Sequence, residues 1–110
     1  MLERQNTVTR KMKKVFFDVE YTRAGLNTSL ISIGMVSEEN ETLYLEFDDY
    51  DRSQITPWLQ ENILILLEGV GVPTLFAAKR IKQWFNYIAS DGIIQLISAG
   101  KSLDILLLFN

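Results

Sequence analysis

Three short segments in the first half of the chain have the hydrophobic pattern of β-strands. They cover residues 13–21, 29–37 and 42–47 and are rich in β-branched and aromatic side chains. Residues 29–37 are apolar at nearly every position, as in a central strand that is covered on both faces. Because the links between the segments are short, the pattern predicts an antiparallel three-stranded meander.

The hydrophobic period changes after residue 47. Thr56 followed by Pro57 is a typical helix start, with a capping side chain and then a proline at the first helical position. The sequence therefore predicts a first helix over residues 58–68, ended by Gly69. A second helix is predicted over residues 74–90, where apolar side chains recur on one stripe.

Two apolar runs follow the second predicted helix. Residues 93–98 are bounded by turn residues and predict a strand, which returns after a helical crossover and lies parallel to a neighbour. Residues 103–109 are predicted to begin a third helix. The expected fold class is α/β, with a mixed sheet in the element order β-β-β-α-α-β-α.

Composition limits the chemistry that this chain can perform. Its 110 residues are about the length of one domain, and a hydrophobic content of 47% is enough to build a core. It contains no cysteine and no histidine, which excludes a disulfide scaffold, a thiolate or histidine metal site and a histidine-dependent nucleophile. A metal would therefore be held by oxygen ligands, which suit Mg²⁺, Mn²⁺ or Ca²⁺.

Charge is distributed unevenly along the chain. The net charge of −3 does not favour a globally basic nucleic-acid-binding protein. Residues 1–11 are polar and basic and are predicted to be a flexible tail, which leaves a single domain over residues 12–110. The acidic stretch 38–51 is interpreted as a solvated hairpin and loop. The sequence shows neither a membrane-length apolar run nor a signal peptide, so we expect a cytoplasmic protein without a membrane partner.

Asp18 and Glu20 are the main candidates for chemistry. They lie two residues apart in the first predicted strand, so their side chains share one face of the sheet. Two neighbouring carboxylates repel each other unless a cation lies between them, and Mg²⁺ is commonly held by such a pair. The alternative is an exposed edge strand, on which alternating acids keep the sheet soluble.

Four further residues are weaker candidates. Asp104 is the single acid in the run 103–109, where the dipole of the predicted helix would also favour it. Trp58, Glu61 and Asn62 could reach a ligand from the first helix, although such a tryptophan more often packs against the sheet.

Three separated segments resemble one known family. Residues 14–21 (KVFFDVEY) and 30–37 (LISIGMVS) resemble the opening of the DEDD superfamily of 3′–5′ exonucleases, especially the small bacterial and phage exoribonucleases of the mycobacterial type. Residues 57–63 (PWLQENI) look like the "PWVxENV" helix start of that family. Residues 94–109 resemble its second motif, although Ala99 replaces an acid and Leu103 replaces an aromatic residue.

The resemblance implies a ribonuclease H-like fold and two Mg²⁺ or Mn²⁺ ions that are held by four acids. Asp18, Glu20 and Asp104 are the positions that match. The implied activity is two-metal hydrolysis of phosphodiester bonds at the 3′ end of single-stranded RNA or DNA, in which one ion activates a water and both hold the phosphate. The family's third motif, which supplies the fourth acid and the general base, has no counterpart here, so the chain resembles a C-terminally truncated domain with one weakened metal site.

Two further hypotheses remain open beside an active exonuclease. A catalytically impaired homologue would keep the fold and bind nucleic acid without turnover. A self-associating module would form homo-oligomers through its apolar C-terminal segment, residues 105–109.

Overall fold

The computed structural model describes residues 12–23, 25, 27–89 and 92–98, together with the backbone of residues 104–108. The predicted flexible tail, residues 1–11, lies outside the described residues. No helix in the described part of the chain is long and apolar enough to cross a bilayer.

A mixed six-stranded sheet forms the centre of the domain, with the strand order β4-β3-β2-β1-β5-β6. The predicted meander is confirmed, because β1 pairs with β2 and β2 pairs with β3, both antiparallel. The predicted parallel strand is confirmed as well, since β5 pairs with β1 in parallel. The strands are β1 (Met12–Tyr21), β2 (Leu30–Ser37), β3 (Thr42–Phe47), β4 (Gly71–Val72), β5 (Ile93–Ser98) and β6 (Asp104–Leu108).

The first helix, α1 (Pro57–Asn62), begins as the sequence predicts but is shorter. The Thr56 side chain accepts a hydrogen bond from the Leu59 amide at 3.1 Å, which satisfies one of the free amides of the first turn. A separate 3₁₀ turn (Leu64–Leu66) follows α1. The predicted continuation to residue 68 is wrong: α1 ends at Asn62, the amides of Leu66 and Leu67 form 3₁₀-type bonds, and the next two amides donate to a side chain of the sheet, as described below.

The second helix, α2 (Thr74–Ile88), agrees with the prediction to within two residues. It packs on one face of the sheet. Its part of the core comprises Trp84, Phe85 and Ile88, which are buried against Val15, Met35, Leu43 and Ile94 of the strands. Burial of each large apolar side chain stabilises the fold by about 1.5–3 kcal/mol.

The last predicted helix is wrong. Residues 104–108 form β6, which pairs antiparallel with β5 and places Asp104 opposite Ile97. Periodicity does not separate a short, wholly apolar run into helix or strand. The outer edge of β5 offers this segment a row of backbone donors and acceptors, and pairing with that edge decides the outcome.

The two faces of the sheet differ sharply. Side chains alternate between faces along a strand, so Val15 points toward α2 whereas Asp18 and Glu20 lie on the opposite side. This second face, called the open face below, carries the candidate residues.

Candidate functional site

The open face has two rows of residues that cross the three strands of the meander. In the first row, Asp18 on β1 lies opposite Gly34 on β2, which lies opposite Tyr44 on β3. The second row is Glu20, Ser32 and Glu46 in the same strand order. We call these six residues the acidic patch: Asp18, Glu20, Ser32, Gly34, Tyr44 and Glu46.

Small residues on β2 leave the two predicted acids accessible. Gly34 has no side chain beside Asp18, and Ser32 is the smallest polar neighbour that Glu20 could have. Asp18 is exposed and lines a shallow groove of about 260 Å³, and Glu20 is half-buried. Among the described residues, neither carboxylate has a hydrogen-bonding or ion-pair partner. Both remain available to an external ligand.

The edge-strand interpretation of Asp18 and Glu20 is wrong. β1 lies inside the sheet, between β2 and β5. The two acids therefore do not protect an unpaired strand edge.

Glu46 is a buried acid that the sequence did not single out. Only 4% of its surface is accessible. Its Oε2 accepts hydrogen bonds from the Tyr44 hydroxyl and the Glu68 amide, both at 2.6 Å, and its Oε1 accepts one from the Gly69 amide at 3.0 Å. Burial alone would raise the pKa of Glu46, but the hydrogen bonds outweigh it and lower the pKa below its usual value. Glu46 is therefore a charged anchor of the fold, and both of its carboxylate oxygens already accept hydrogen bonds.

The interpretation of residues 38–51 as a solvated hairpin and loop is wrong for the buried Glu46, but the acids Glu38, Glu39, Asp48, Asp49 and Asp51 are exposed as it predicts. Glu41 accepts a hydrogen bond from Lys13 Nζ at 2.9 Å. Asp49 accepts hydrogen bonds from the amide and the hydroxyl of Thr74, both at 2.8 Å, and so caps α2 from a distance in sequence. These acids fix the hairpin and the start of α2.

The alternation of apolar and polar residues over 42–47 was the sequence signal that could have identified Glu46, because it places Tyr44 and Glu46 on the face of β3 opposite its apolar residues.

Tyr44 lies between the buried Glu46 and the two accessible acids, Asp18 and Glu20. Burial, followed by the hydrogen bond and the negative charge of Glu46, raises the pKa of Tyr44 to about 12. The hydroxyl therefore remains protonated near neutral pH and donates to Glu46. The ring passes over Gly34, since a Cβ placed on that glycine would lie 3.9 Å from Tyr44 Cδ1.

Glu20 lines two cavities. The first, of about 240 Å³, has Ser32 and Tyr44 on the sheet side and Ile63, Leu66 and Leu67 on the other side. The second, of about 360 Å³, lies at the end of β1 and includes Trp58, whose side chain is 61% exposed. Trp58 thus faces solvent beside the candidate acid and does not pack in the core.

The other predicted residues occupy different surroundings. Glu61 is exposed, and Asn62 donates a hydrogen bond from its side-chain amide to the Trp58 carbonyl at 2.9 Å, which ties it to its own helix. The backbone of Asp104 lies opposite Ile97, which lies opposite Phe16 on β1. Asp104 is thus two strands away from β1, near the level of Asp18. Its side chain is outside the described part of the chain, so its role as a metal ligand stays a prediction.

The donor set fits one divalent cation better than two. Within the described ranges no group of three or more histidine, cysteine, aspartate or glutamate side chains converges. Asp18 and Glu20 alone match a Mg²⁺ ion that keeps several waters or takes oxygens from a phosphate. A two-ion site would need at least one more acid, for which Asp104 is the candidate.

The fold and the site define a mixed α/β domain with an accessible acidic patch on the face away from its packed helix. Comparison with known proteins adds no family: no family model and no curated protein matches the chain. The exonuclease resemblance therefore depends on the sequence motifs alone.

Proposed function

We propose that the chain is a ribonuclease H-like domain of the 3′–5′ exoribonuclease type, which hydrolyses phosphodiester bonds at the 3′ end of RNA with Mg²⁺ or Mn²⁺. The observation that carries the proposal is the placement of Asp18 and Glu20. They share the open face of a central strand, where small residues leave them uncovered and, among the described residues, nothing neutralises them. A cytoplasmic location would fit such a substrate.

The topology supports the same proposal. The resemblance implies a ribonuclease H-like fold, and the antiparallel meander of β1, β2 and β3 with β5 parallel to β1 is compatible with it. The two acids of the first motif then lie on the strand at the centre of the mixed sheet, accessible from one side. Asp104, which matches the second motif, lies on β6 and not on the predicted helix, so this part of the topology does not add to the support.

The residues of the acidic patch would bind the cation and orient the substrate phosphate, and none of them is proposed as a general base. Asp18 and Glu20 would hold the cation, with Asp104 as the expected third donor. When bound, the cation supplies charge neutralisation at the phosphate and lowers the pKa of water. Tyr44 stays protonated near neutral pH, and the chain contains no histidine. A general base typically contributes about 10²–10⁴-fold in rate, and the measured rate will show whether the chain supplies one.

The test is release of nucleotides from the 3′ end of 5′-labelled single-stranded RNA, with DNA of the same sequence as a second substrate. Activity should require Mg²⁺ or Mn²⁺ and should disappear in Asp18→Asn. The matched control is Asp48→Asn, since Asp48 is also exposed but lies outside the patch. Activity that survives Asp18→Asn, or that is equal in the presence of a chelator, would exclude the proposed mechanism.

Self-association is a second candidate function, which the position of β6 favours. β6 is the last strand of the sheet, so one of its edges pairs with β5 and no described strand lies on the other. An apolar edge strand is a template for pairing with another chain. Sedimentation velocity over a range of concentrations should show dimers that Leu106→Lys weakens, and a monomer at all concentrations would reject this candidate.

A further inference from the structure

The outer face of α2 is basic although the chain as a whole has a net charge of −3. The helix carries Lys79, Arg80 and Lys82, and its sequence contains no aspartate or glutamate. All three cationic side chains are exposed, and among the described residues none of them has a hydrogen-bonding or ion-pair partner. Acids three or four residues away, which often pair with cations on a helix surface, are missing from α2. The positive charge on this face is therefore available to an anionic partner.

The exposed side chains of α2 form two parallel rows. Residues three or four positions apart lie above one another on a helix, so each row follows the helix axis. One row consists of side chains that end in flat groups, and the other contains the two lysines. The flat row is Phe76, Arg80, Gln83 and Tyr87, and the lysine row is Leu75, Lys79, Lys82 and Asn86.

Two aromatic rings of the flat row face solvent. Phe76 is 55% exposed and Tyr87 is 80% exposed, whereas Trp84 and Phe85 of the same helix are buried in the core. The two exposed rings are about three helical turns apart, which is about 16 Å along the axis. At about 3.4 Å per stacked nucleotide, this distance corresponds to about five nucleotides of one strand.

We infer that the outer face of α2 binds a single strand of nucleic acid, whose bases stack on the flat row and whose phosphates contact the lysine row. Proteins that bind single strands without sequence preference combine cations that follow the backbone with aromatic rings on which bases stack. Both components lie here on one face of one helix. Because α2 packs on the side of the sheet opposite Asp18 and Glu20, this surface is separate from the proposed hydrolytic site.

The composition of the two rows favours a nucleic acid over a lipid surface. A helix that lies in a membrane interface buries a continuous face of large apolar side chains. On the outer face of α2, the large aliphatic and phenyl side chains are confined to the first turn, at Leu75 and Phe76. The amide side chains of Gln83 and Asn86 follow among the cations, and such groups suit hydrogen bonds to bases and phosphates better than contact with acyl chains.

Acids lie at both ends of α2 and confine the basic surface to its middle turns. Asp49 caps the start of the helix. At the other end, Glu38 and Glu39 line a cavity of about 420 Å³ together with Tyr87, and Glu39 forms an ion pair with Lys13. We therefore expect the phosphate contacts to lie in the middle of the helix, at the two lysines.

The test is binding of fluorescein-labelled oligouridine and oligothymidine to the whole chain, measured by fluorescence anisotropy at several salt concentrations. EDTA is present throughout, so that binding is measured without hydrolysis. Both probes should bind, because phosphates and stacking bases are common to RNA and DNA. Three phosphate contacts predict that the logarithm of the association constant falls with the logarithm of salt concentration with a slope of about −2.

Matched variants separate charge from stacking. Lys79→Gln combined with Lys82→Gln should weaken binding about tenfold and flatten the salt slope to about −0.7. Phe76→Leu combined with Tyr87→Leu should weaken binding at least about fivefold and leave the salt slope unchanged, since the rings carry no charge. Arg52→Gln, which removes an exposed cation outside α2, should bind as wild type does. Circular dichroism verifies that each variant is folded.

The outcomes distinguish this inference from the proposed activity. Unchanged affinity and salt slope in the double lysine variant would overturn the inference, even if RNA is hydrolysed in Mg²⁺ and Asp18→Asn abolishes that hydrolysis. Binding to phosphatidylserine vesicles but to neither oligonucleotide would also overturn it, in favour of a lipid surface. Lysine-dependent binding in EDTA, by a protein that releases no nucleotide in Mg²⁺, would support the α2 surface and reject the exonuclease activity.

Discussion

Glu20 and Glu46 lie at the same level of the open face, each directly opposite Ser32 on the strand between them. The surroundings of their carboxylates differ completely. Glu46 accepts three hydrogen bonds from Tyr44, Glu68 and Gly69, whereas Glu20 has no partner among the described residues. One acid therefore anchors the fold, and the other remains accessible to a ligand.

Divalent cations should stabilise the protein through Asp18 and Glu20. A ligand at about 100 times its dissociation constant adds about 2.7 kcal/mol to the free energy of unfolding, which raises the Tm of a domain of this size by roughly 10 °C. We expect Mn²⁺ to produce such a shift in thermal unfolding, and we expect Asp18→Asn and Glu20→Gln to abolish it. Asp48→Asn should retain it. The same shift in wild type and in Asp18→Asn would place the cation elsewhere.

Removing the Glu46 side chain should destabilise the fold strongly. Glu46→Ala leaves the Tyr44 hydroxyl and two amides without their acceptor, and we expect a loss of about 3 kcal/mol in the free energy of unfolding. Glu46→Gln, which keeps the volume and one acceptor oxygen, should lose less. The measurement is urea denaturation. Glu61→Ala, on an exposed residue of α1, is the control and should change stability by less than about 0.5 kcal/mol.

Glu46 should also make stability depend on pH. Its pKa in the folded protein lies below the usual value of 4.5, because the hydrogen bonds outweigh the effect of burial. A lowered folded-state pKa stabilises the protein above the unfolded-state pKa, and this contribution is lost as pH falls through the folded-state pKa.

The pH effect is best measured as a difference between two proteins, since the pKa values of Glu41, Asp49 and Asp51 are lowered as well. The stability gap between wild type and Glu46→Gln should be widest near neutral pH and should shrink below about pH 4.5. A gap that is constant down to about pH 3 would show that the charge of Glu46 contributes nothing.

Gly71 should not accept a side chain. A Cβ at this position would lie 2.9 Å from Asp48 Cβ and 3.2 Å from backbone atoms of Phe47 and Asp48, so β4 would have to move away from β3. We expect Gly71→Ala to lower the free energy of unfolding by about 1–3 kcal/mol. Gly34→Ala is the matched control, because its nearest neighbour would be at 3.9 Å. Equal effects of the two substitutions on urea denaturation would show that the close approach at Gly71 relaxes freely.

The sequence pattern correctly predicted those structural elements that depend on interactions within a few residues. The alternation in residues 13–21 gave β1 and put Asp18 and Glu20 on one face, since side-chain direction in a strand follows from backbone geometry alone. Thr56 and Pro57 marked the start of α1, because a capping bond spans only three residues.

Other features depended on partners that are distant in sequence. Residues 104–108 form a strand because they pair with the edge of β5. Their wholly apolar sequence has no periodicity that distinguishes a strand from a helix. The turn after the 3₁₀ segment is fixed by Glu46, which lies 22 residues before the Glu68 amide that it binds.

The sequence by itself thus determined the three strands of the meander and the shared face of Asp18 and Glu20, because strand period and side-chain direction follow from backbone geometry over a few residues. The parallel return of β5 to β1 followed from the helical crossover between them. Only the tertiary structure decided which acids accept hydrogen bonds within the fold and which are accessible to a ligand. That distinction depends on burial and on hydrogen-bond donors from other strands and turns, which come together only when the sheet is assembled.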